Sequence, residues 1–489
     1  MNAVKKLALS KLFLYRSRYI IGYGALMLIF IASVVAASFY APEGLSAQEV
    51  NNIQATNQLN LLHPSSLAVT NLPLHLLQLA SFSIFGVSIL SIKLPVILLS
   101  IVTSFAIFFL LRRWFKSNVS ILSMFIMLTT GQYIFIAQQF SSNILYVLYS
   151  ATILLFASLV FQKAKYSRLW KVLLAFSVAL SLYTPYFWYI ILGLLLVALI
   201  HPHTRYFILA KKNRLSWLPA VIVGLIFVSP LVYLLMTNPA FTSQILGLDG
   251  LTWTINSNLK SLLYAFIWVA PSVIDGQIMP IIGTSGLLLT ILGFASILRH
   301  GHTARFYMIA TWIVLAAPLL VLKPQLTTII TVPMFILLAM GMETLISEWY
   351  SLFPRNPYAR VTGLLLIIGL VGVMSIGGID RYINGYRFLP EVVRQHSVDL
   401  KLINKSLKDS EPAMLVTAEA GKPLCDALTK YSSKLDYVEA ADAGPGKVYV
   451  SRDFKYQNSI PENWQLQEIL VDGRSQEADR FYIYKISQQ

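Results

Sequence analysis

The stretch KLPVILLSIVTSFAIFFLLRRWFK, residues 93–116, is an apolar run from Leu94 to Leu111 closed by Arg112, Arg113 and Lys116. A helix needs about 20 apolar residues to cross ~30 Å of hydrocarbon. Lys and Arg in short loops mark the cytoplasmic side of a membrane. The stretch therefore reads as a spanning helix, Lys93 to Leu111, with its basic end in the cytoplasm. It sets the phase for the chain on either side.

Upstream, Tyr19 to Tyr40 is long enough to span and follows Lys5, Lys6, Lys11, Arg16 and Arg18, which puts the N-terminus inside. No small-residue cleavage site follows it, so it is expected to stay as an anchor. Residues 41–92 are then external, and they contain no Lys or Arg. Leu72 to Phe85 is apolar, but counting it as a span would put Arg112 and Arg113 outside; an interfacial helix is expected instead.

Downstream the alternation stays in phase. Spans are expected over 118–137, 143–161, 170–183, 186–200, 217–236, 281–298, 306–322, 326–342 and 361–379, with basic clusters at Lys163 to Arg168, Arg205 to Arg214 and Arg299 to Arg305. The external segment 237–280 contains a second interfacial stretch, 259–269. About eleven spans leave the C-terminus outside. From Asp380 the texture changes to a helix over 390–407 and short β-like runs at 413–416, 447–450, 466–471 and 480–486. The expected fold is an all-α polytopic membrane domain, residues 1–379, followed by a small extracytoplasmic α/β domain, 380–489.

Composition agrees. The 489 residues are 56% hydrophobic and 12% charged, with mean hydropathy +0.65, far from the roughly quarter-charged make-up of soluble domains. Of the 22 Asp and Glu, six precede residue 380 and 16 lie from Asp380 onward. The tail also carries 15 of the 38 Lys and Arg, so the net charge of +16 belongs to the hydrophobic part and reports topology, not nucleic-acid binding. The single cysteine, Cys425, rules out an intramolecular disulfide.

Chemistry has few places to sit. The outer face of the membrane part has four carboxylates, Glu43, Glu49, Asp249 and Asp275, all from the two long external segments. Glu49 opens a short helix after Ser46; a carboxylate there can accept a hydroxyl proton, or serve only as a solvated helix-start charge. His63 and His75 share the first segment as substrate contacts or headgroup-level anchors. Lys93, Lys260 and Lys323 lie at expected interfaces, where each pairs with a lipid phosphate or snorkels to ordinary headgroups. No Gly-rich phosphate loop, His-Glu-x-x-His or nucleophile elbow is present. No metal site or cofactor is expected; a divalent cation is compatible but unsupported.

These elements resemble the polyprenyl-phosphate-sugar-dependent glycosyltransferases of the GT-C fold, the branch holding protein O-mannosyltransferases and the lipid A aminoarabinose transferase. Leu72-Pro73-Leu74-His75 through Phe85-Gly86-Val87-Ser88, with Lys93-Leu94-Pro95 and Leu111-Arg112-Arg113-Trp114-Phe115, resembles that family's "PPLYY…FGVSEWAARLPSAL" stretch. Lys323-Pro324 with Val332-Pro333 is similar to its late "R-Y-x-x-P-x-x-P" region. The resemblance implies sugar transfer from a polyprenyl phosphate to an extracytoplasmic glycan, lipid or protein, with inversion at the anomeric carbon. An external-loop carboxylate acts as base, and cationic groups hold the leaving phosphate. Glu49 is then the expected base, Gln48, His63, His75, Asn143, Asp249 and Asp275 the substrate contacts, and Lys93, Lys260 and Lys323 the phosphate contacts. By position, the family's Asp-Glu pair becomes Gln48-Glu49, its Lys-Pro-Pro becomes Asn71-Leu72-Pro73, and its second acidic residue becomes Asn143, so three charges are missing. The alternatives are an inert relative that binds lipid-linked glycan or a partner protein and, third, a transporter, disfavoured because no charge sits near the middle of an expected span. The implied location is the cell's inner membrane.

Overall fold

The computed structural model describes residues 18–486 apart from 210, 250–253, 268–271, 275, 300–302, 408–412, 419–420, 432–434 and 474–477. The first anchor forms α1 (Arg18–Tyr40). A two-residue strand β1 (Leu45–Ser46) leads into α2 (Ala47–Asn57), and α3 (Leu72–Phe85) has the bounds expected of the interfacial helix. Next come α4 (Ile89–Trp114), α5 (Ser117–Thr129), α6 (Gly131–Ile136), α7 (Asn143–Phe161), α8 (Ser167–Ser181), α9 (Phe187–Ile200) and α10 (Lys211–Thr237). The second external segment holds α11 (Pro239–Leu246), α12 (Ile255–Phe266) and the hairpin β2 (Ser272–Ile274)/β3 (Gln277–Met279). Helices α13 (Thr284–Arg299), α14 (Ala304–Leu322), α15 (Thr331–Leu352) and α16 (Pro357–Phe388) follow.

Among the described residues, seven helices are long and apolar enough to cross a membrane: α1, α4, α7, α10, α14, α15 with its leading turn, and α16. Helices α5, α8, α9 and α13 occupy the other expected spans but have only 13, 15, 14 and 16 residues. The run expected as one span over 118–137 is broken at Thr130, where ψ swings to 127°. The reason is crowding: a Cβ on Gly131 would lie 3.1 Å from the Gly378 carbonyl oxygen of α16. Helix α7 sits at the centre of the bundle, its buried face formed by nearly every residue from Asn143 to Leu155. Helices α13 and α15 cross in backbone contact. A Cβ on Gly293 would lie 1.8 Å from Leu337 O, and one on Gly341 would lie 1.9 Å from Leu289 O. In lipid, where apolar side chains gain little by leaving solvent, such small-residue crossings let dispersion hold helices together.

The helix expected over 390–407 is interrupted. Strand β4 (His396–Ser397) intervenes because it pairs antiparallel with β1, Ser46 opposite His396, before α17 (Asp399–Leu407) begins. Beyond it, β5 (Ala413–Val416), α18 (Lys422–Tyr431), β6 (Leu435–Tyr437), β7 (Gly446–Ser451), β8 (Trp464–Val471) and β9 (Asp479–Ile486) build a five-stranded sheet in the order β6-β5-β7-β9-β8. The first three strands are parallel and the last two antiparallel. Helix α18 packs on α2, and Lys430 Nζ donates to Asn57 O at 2.8 Å. Glu43 pairs with Lys401, so the tail clasps the first external segment at three points. The Cys425 thiol is buried in this domain, and burial pushes it up to about 12, so it is inert as a nucleophile.

Candidate functional site: a polar cavity between the external segments

The first external segment is held from behind. Gly44 takes φ +101°, and a Cβ there would lie 2.2 Å from Ser397 O, so only glycine lets the loop close on β4. Ser46 then caps α2 by a reciprocal box: its Oγ accepts from Glu49 N at 3.3 Å while Glu49 Oε2 accepts from Ser46 N at 2.9 Å. Glu49 Oε1 accepts from Phe140 N at 2.9 Å. The carboxylate is 1% exposed. Glu49 is thus at a helix start, as its local sequence allows, but it is buried, not solvated. Both oxygens are engaged by the protein, and it does not line the cavity that its neighbour Gln48 faces.

That cavity, about 310 Å³, is lined by Gln48, Asn71, His75, Asn143, Asp249 and Lys323, with Asn52, Tyr146, Tyr186, Gln244 and Gln325 among the rest of its wall. The three positions at which the sequence lacks the resembled family's charges, Gln48, Asn71 and Asn143, therefore meet in one place. Asn71 adopts φ 59° at the start of α3, a left-handed conformation that asparagine tolerates. Its Oδ1 is buried without a partner. Asn143 Oδ1 accepts from Thr328 Oγ1 at 3.1 Å, which orients the amide at the head of α7. Tyr146 OH donates to Pro185 O at 3.2 Å, and Tyr186 N donates to Ile245 O at 3.3 Å, so the α8–α9 turn is tied to the second external segment.

Two charges face this cavity among the described residues. Asp249 is exposed, and its Oδ2 accepts from Ser243 Oγ at 2.8 Å. Lys323, just past α14, lies over the Tyr186 ring and donates to its hydroxyl at 3.2 Å. His75 adds a neutral group. Burial pushes its imidazole down to about 4, so it stays uncharged across the physiological range. Its Nδ1 lies 2.7 Å from Thr56 Oγ1. Thr56 Oγ1 also contacts Asn52 O at 2.9 Å and the Gln78 side-chain amide, so the imidazole is held in a buried polar cluster.

Besides Glu49, three expected site residues lie elsewhere. Lys93 is 1% exposed and donates to Gln138 Oε1 at 2.8 Å and Ser38 O at 3.4 Å, inside the bundle. A lone lysine in a mostly apolar helix has to find protein acceptors if it faces inward, and Gln138 provides one. His63 is exposed on the turn before Leu67. Lys260 is exposed on α12, over the Tyr264 ring. Asp275 lies outside the described residues. Gln244 on α11 and Gln325 on the helical turn before α15 are cavity residues that carry no signal in the sequence, since an isolated glutamine marks no motif. Among the described residues no group of three His, Cys, Asp or Glu side chains could hold a metal. A carboxylate, an ammonium and a ring of neutral amides suit a polyhydroxyl ligand with one phosphate.

Residues 72–234 match the family described as dolichyl-phosphate-mannose-protein mannosyltransferase. No curated protein matches the chain significantly. ArnT from Cupriavidus metallidurans in the apo state aligns over 96% of this chain and 100% of its own, with TM-score 0.51 and 11% identity. The same protein bound to undecaprenyl phosphate aligns over 94% and 99%, with TM-score 0.48 and 13% identity. An Archaeoglobus fulgidus oligosaccharyltransferase tethered with an acceptor peptide aligns over 97% of this chain and 75% of its own, with TM-score 0.49 and 12% identity. The chain has the GT-C fold from its first helices to its terminal sheet, as the resemblance implied.

Proposed function

We propose that this chain is a membrane glycosyltransferase that moves a sugar from a polyprenyl phosphate to an extracytoplasmic acceptor. The observation that carries it is the meeting of Gln48, Asn71 and Asn143 with Asp249 and Lys323 around one polar cavity. Within the GT-C fold, these are the positions at which the resemblance locates donor and acceptor. Residues 1–379 are read as the membrane domain with its N-terminus cytoplasmic. Residues 380–489 are read as extracytoplasmic, buttressing the segment that carries Gln48.

The external-loop base is proposed to be Asp249 in place of Glu49, because Asp249 faces the cavity and keeps one carboxylate oxygen outside its bond to Ser243. In the reaction the acceptor hydroxyl gives its proton to Asp249 and its oxygen attacks the anomeric carbon. The carbon–oxygen bond to phosphate breaks, and the electron pair leaves on the polyprenyl phosphate, whose charge Lys323 balances. Glu49 acts as a positioning residue that fixes the loop behind Gln48. The test compares donor consumption by purified wild type, Asp249→Asn and Glu49→Gln with polyprenyl-phosphate sugars. Loss in Asp249→Asn with residual turnover in a folded Glu49→Gln supports this assignment; the reverse pattern returns the base to Glu49.

One observation favours a second reading. Three of the four positions at which the resembled family is charged hold amides, which neither accept a proton nor neutralise a phosphate, and the fourth, Glu49, does not line the cavity. An inert relative that binds lipid-linked glycan would retain the cavity and show saturable binding without turnover.

A further inference from the structure

A second cavity, about 360 Å³, opens on the membrane face between α1, α5 and α16, within the size range of ligand pockets, about 300–1,000 Å³. It shares no residue with the polar cavity. Its floor exists because α1 presents the small side chains Ser33, Ala36 and Ala37 along one stripe, while Ile29, Phe125 and Ile383 form raised edges that are open to the outside. Its walls are hydrocarbon except at one end. There, at the last turns of α1 and α16, stand the exposed Tyr40 and the guanidinium of Arg387. Arg387 makes a ring contact with Phe388 but no hydrogen bond or ion pair among the described residues. Glu43 and Asp472 share a small cleft with it, and Glu43 is paired to Lys401.

We propose that this groove is a binding site for one anionic phospholipid of the surrounding bilayer, an acyl chain along the α1 stripe and the phosphate on Arg387. The cation sits where a spanning helix ends, the depth at which lipid phosphates lie, and an arginine fork takes two phosphate oxygens at once. The groove shares no lining residue with the polar cavity, so we assign it to a bilayer lipid and not to a donor. The proposal does not depend on the transferase reading.

The full chain is reconstituted in phosphatidylcholine nanodiscs doped with phosphatidylglycerol or with undecaprenyl phosphate, released, and weighed by native mass spectrometry. Wild type is expected to retain one phosphatidylglycerol in preference to phosphatidylcholine. Arg387→Gln should lower that adduct about fivefold, the worth of one cation near a phosphate. Ala36→Phe, an apolar change on an exposed helix face, should remove the adduct by filling the groove and keeps the test open if Arg387→Gln folds poorly. Equal phosphatidylglycerol retention in wild type and both variants would overturn the site, and preferential retention of undecaprenyl phosphate through Arg387 would overturn the assignment to a bilayer lipid.

Discussion

At the scale of single residues, Glu49 and Asp249 differ in setting: Glu49 is buried in its own helix cap, and Asp249, which we propose as the base, faces the cavity. Glu49 carries three donors on its two oxygens, from Ser46 N, Ser46 Oγ and Phe140 N. Glu49→Gln keeps one acceptor and puts an amide N–H against these donors, so it should destabilise the protein by about 1–3 kcal/mol. A thermal melt of the detergent-solubilised protein checks this; an unchanged midpoint contradicts it. The signature was visible, since Ser46-Ala47-Gln48-Glu49 is a capping box, but nothing local could reveal that Phe140 and β4 would close over it. His75 gives a pH prediction. Its folded pKa, about 4, is below the usual value, so the unfolded chain binds more protons in acid. The stability it contributes is full above pH 6.5 and is lost as pH falls from there towards 4. By pH 5 the loss is about 2 kcal/mol. The drop in melting temperature between pH 7 and pH 5 should shrink in His75→Gln; an equal drop removes His75 as its source.

At the scale of elements, the glycine crossing fixes α13 against α15, and the β1–β4 pair holds the segment that carries Gln48. Gly293→Ala forces the Leu337 carbonyl away by more than a bond length and should cost about 1–3 kcal/mol, the range for overpacking a tight contact. Gly372→Ala on α16, where an added Cβ meets nothing within 4 Å, is the matched control and should be silent. Comparable melts of the two variants would contradict the crossing. Sequence reading gives the bounds of α3 because the apolar run ends where the helix does, and the Lys and Arg phase argues against a span. It joined α5 to α6, and ran α17 back through β4, because both breaks are imposed by partners distant in sequence: Gly378 in one case and Leu45–Ser46 in the other.

At the scale of the whole molecule, the order of elements was legible because lipid imposes two strong rules, apolar length and the side on which Lys and Arg fall. For the site, the sequence names single residues but not their grouping. Gln48, Asn71 and Asn143, far apart in the chain, line one cavity, whereas Lys93 turns inward to Gln138, an acceptor no spacing could have foretold. The central claim is that this cavity transfers sugar from a lipid phosphate. Proteoliposomes containing the wild-type chain, a polyprenyl-phosphate sugar and candidate acceptors would be followed by mass spectrometry for free polyprenyl phosphate. The account predicts release of free carrier matched mole for mole by glycosylated acceptor, and loss of both in Asp249→Asn. Saturable donor binding with no release from any sugar donor would contradict it and leave the chain a binder of lipid-linked glycan.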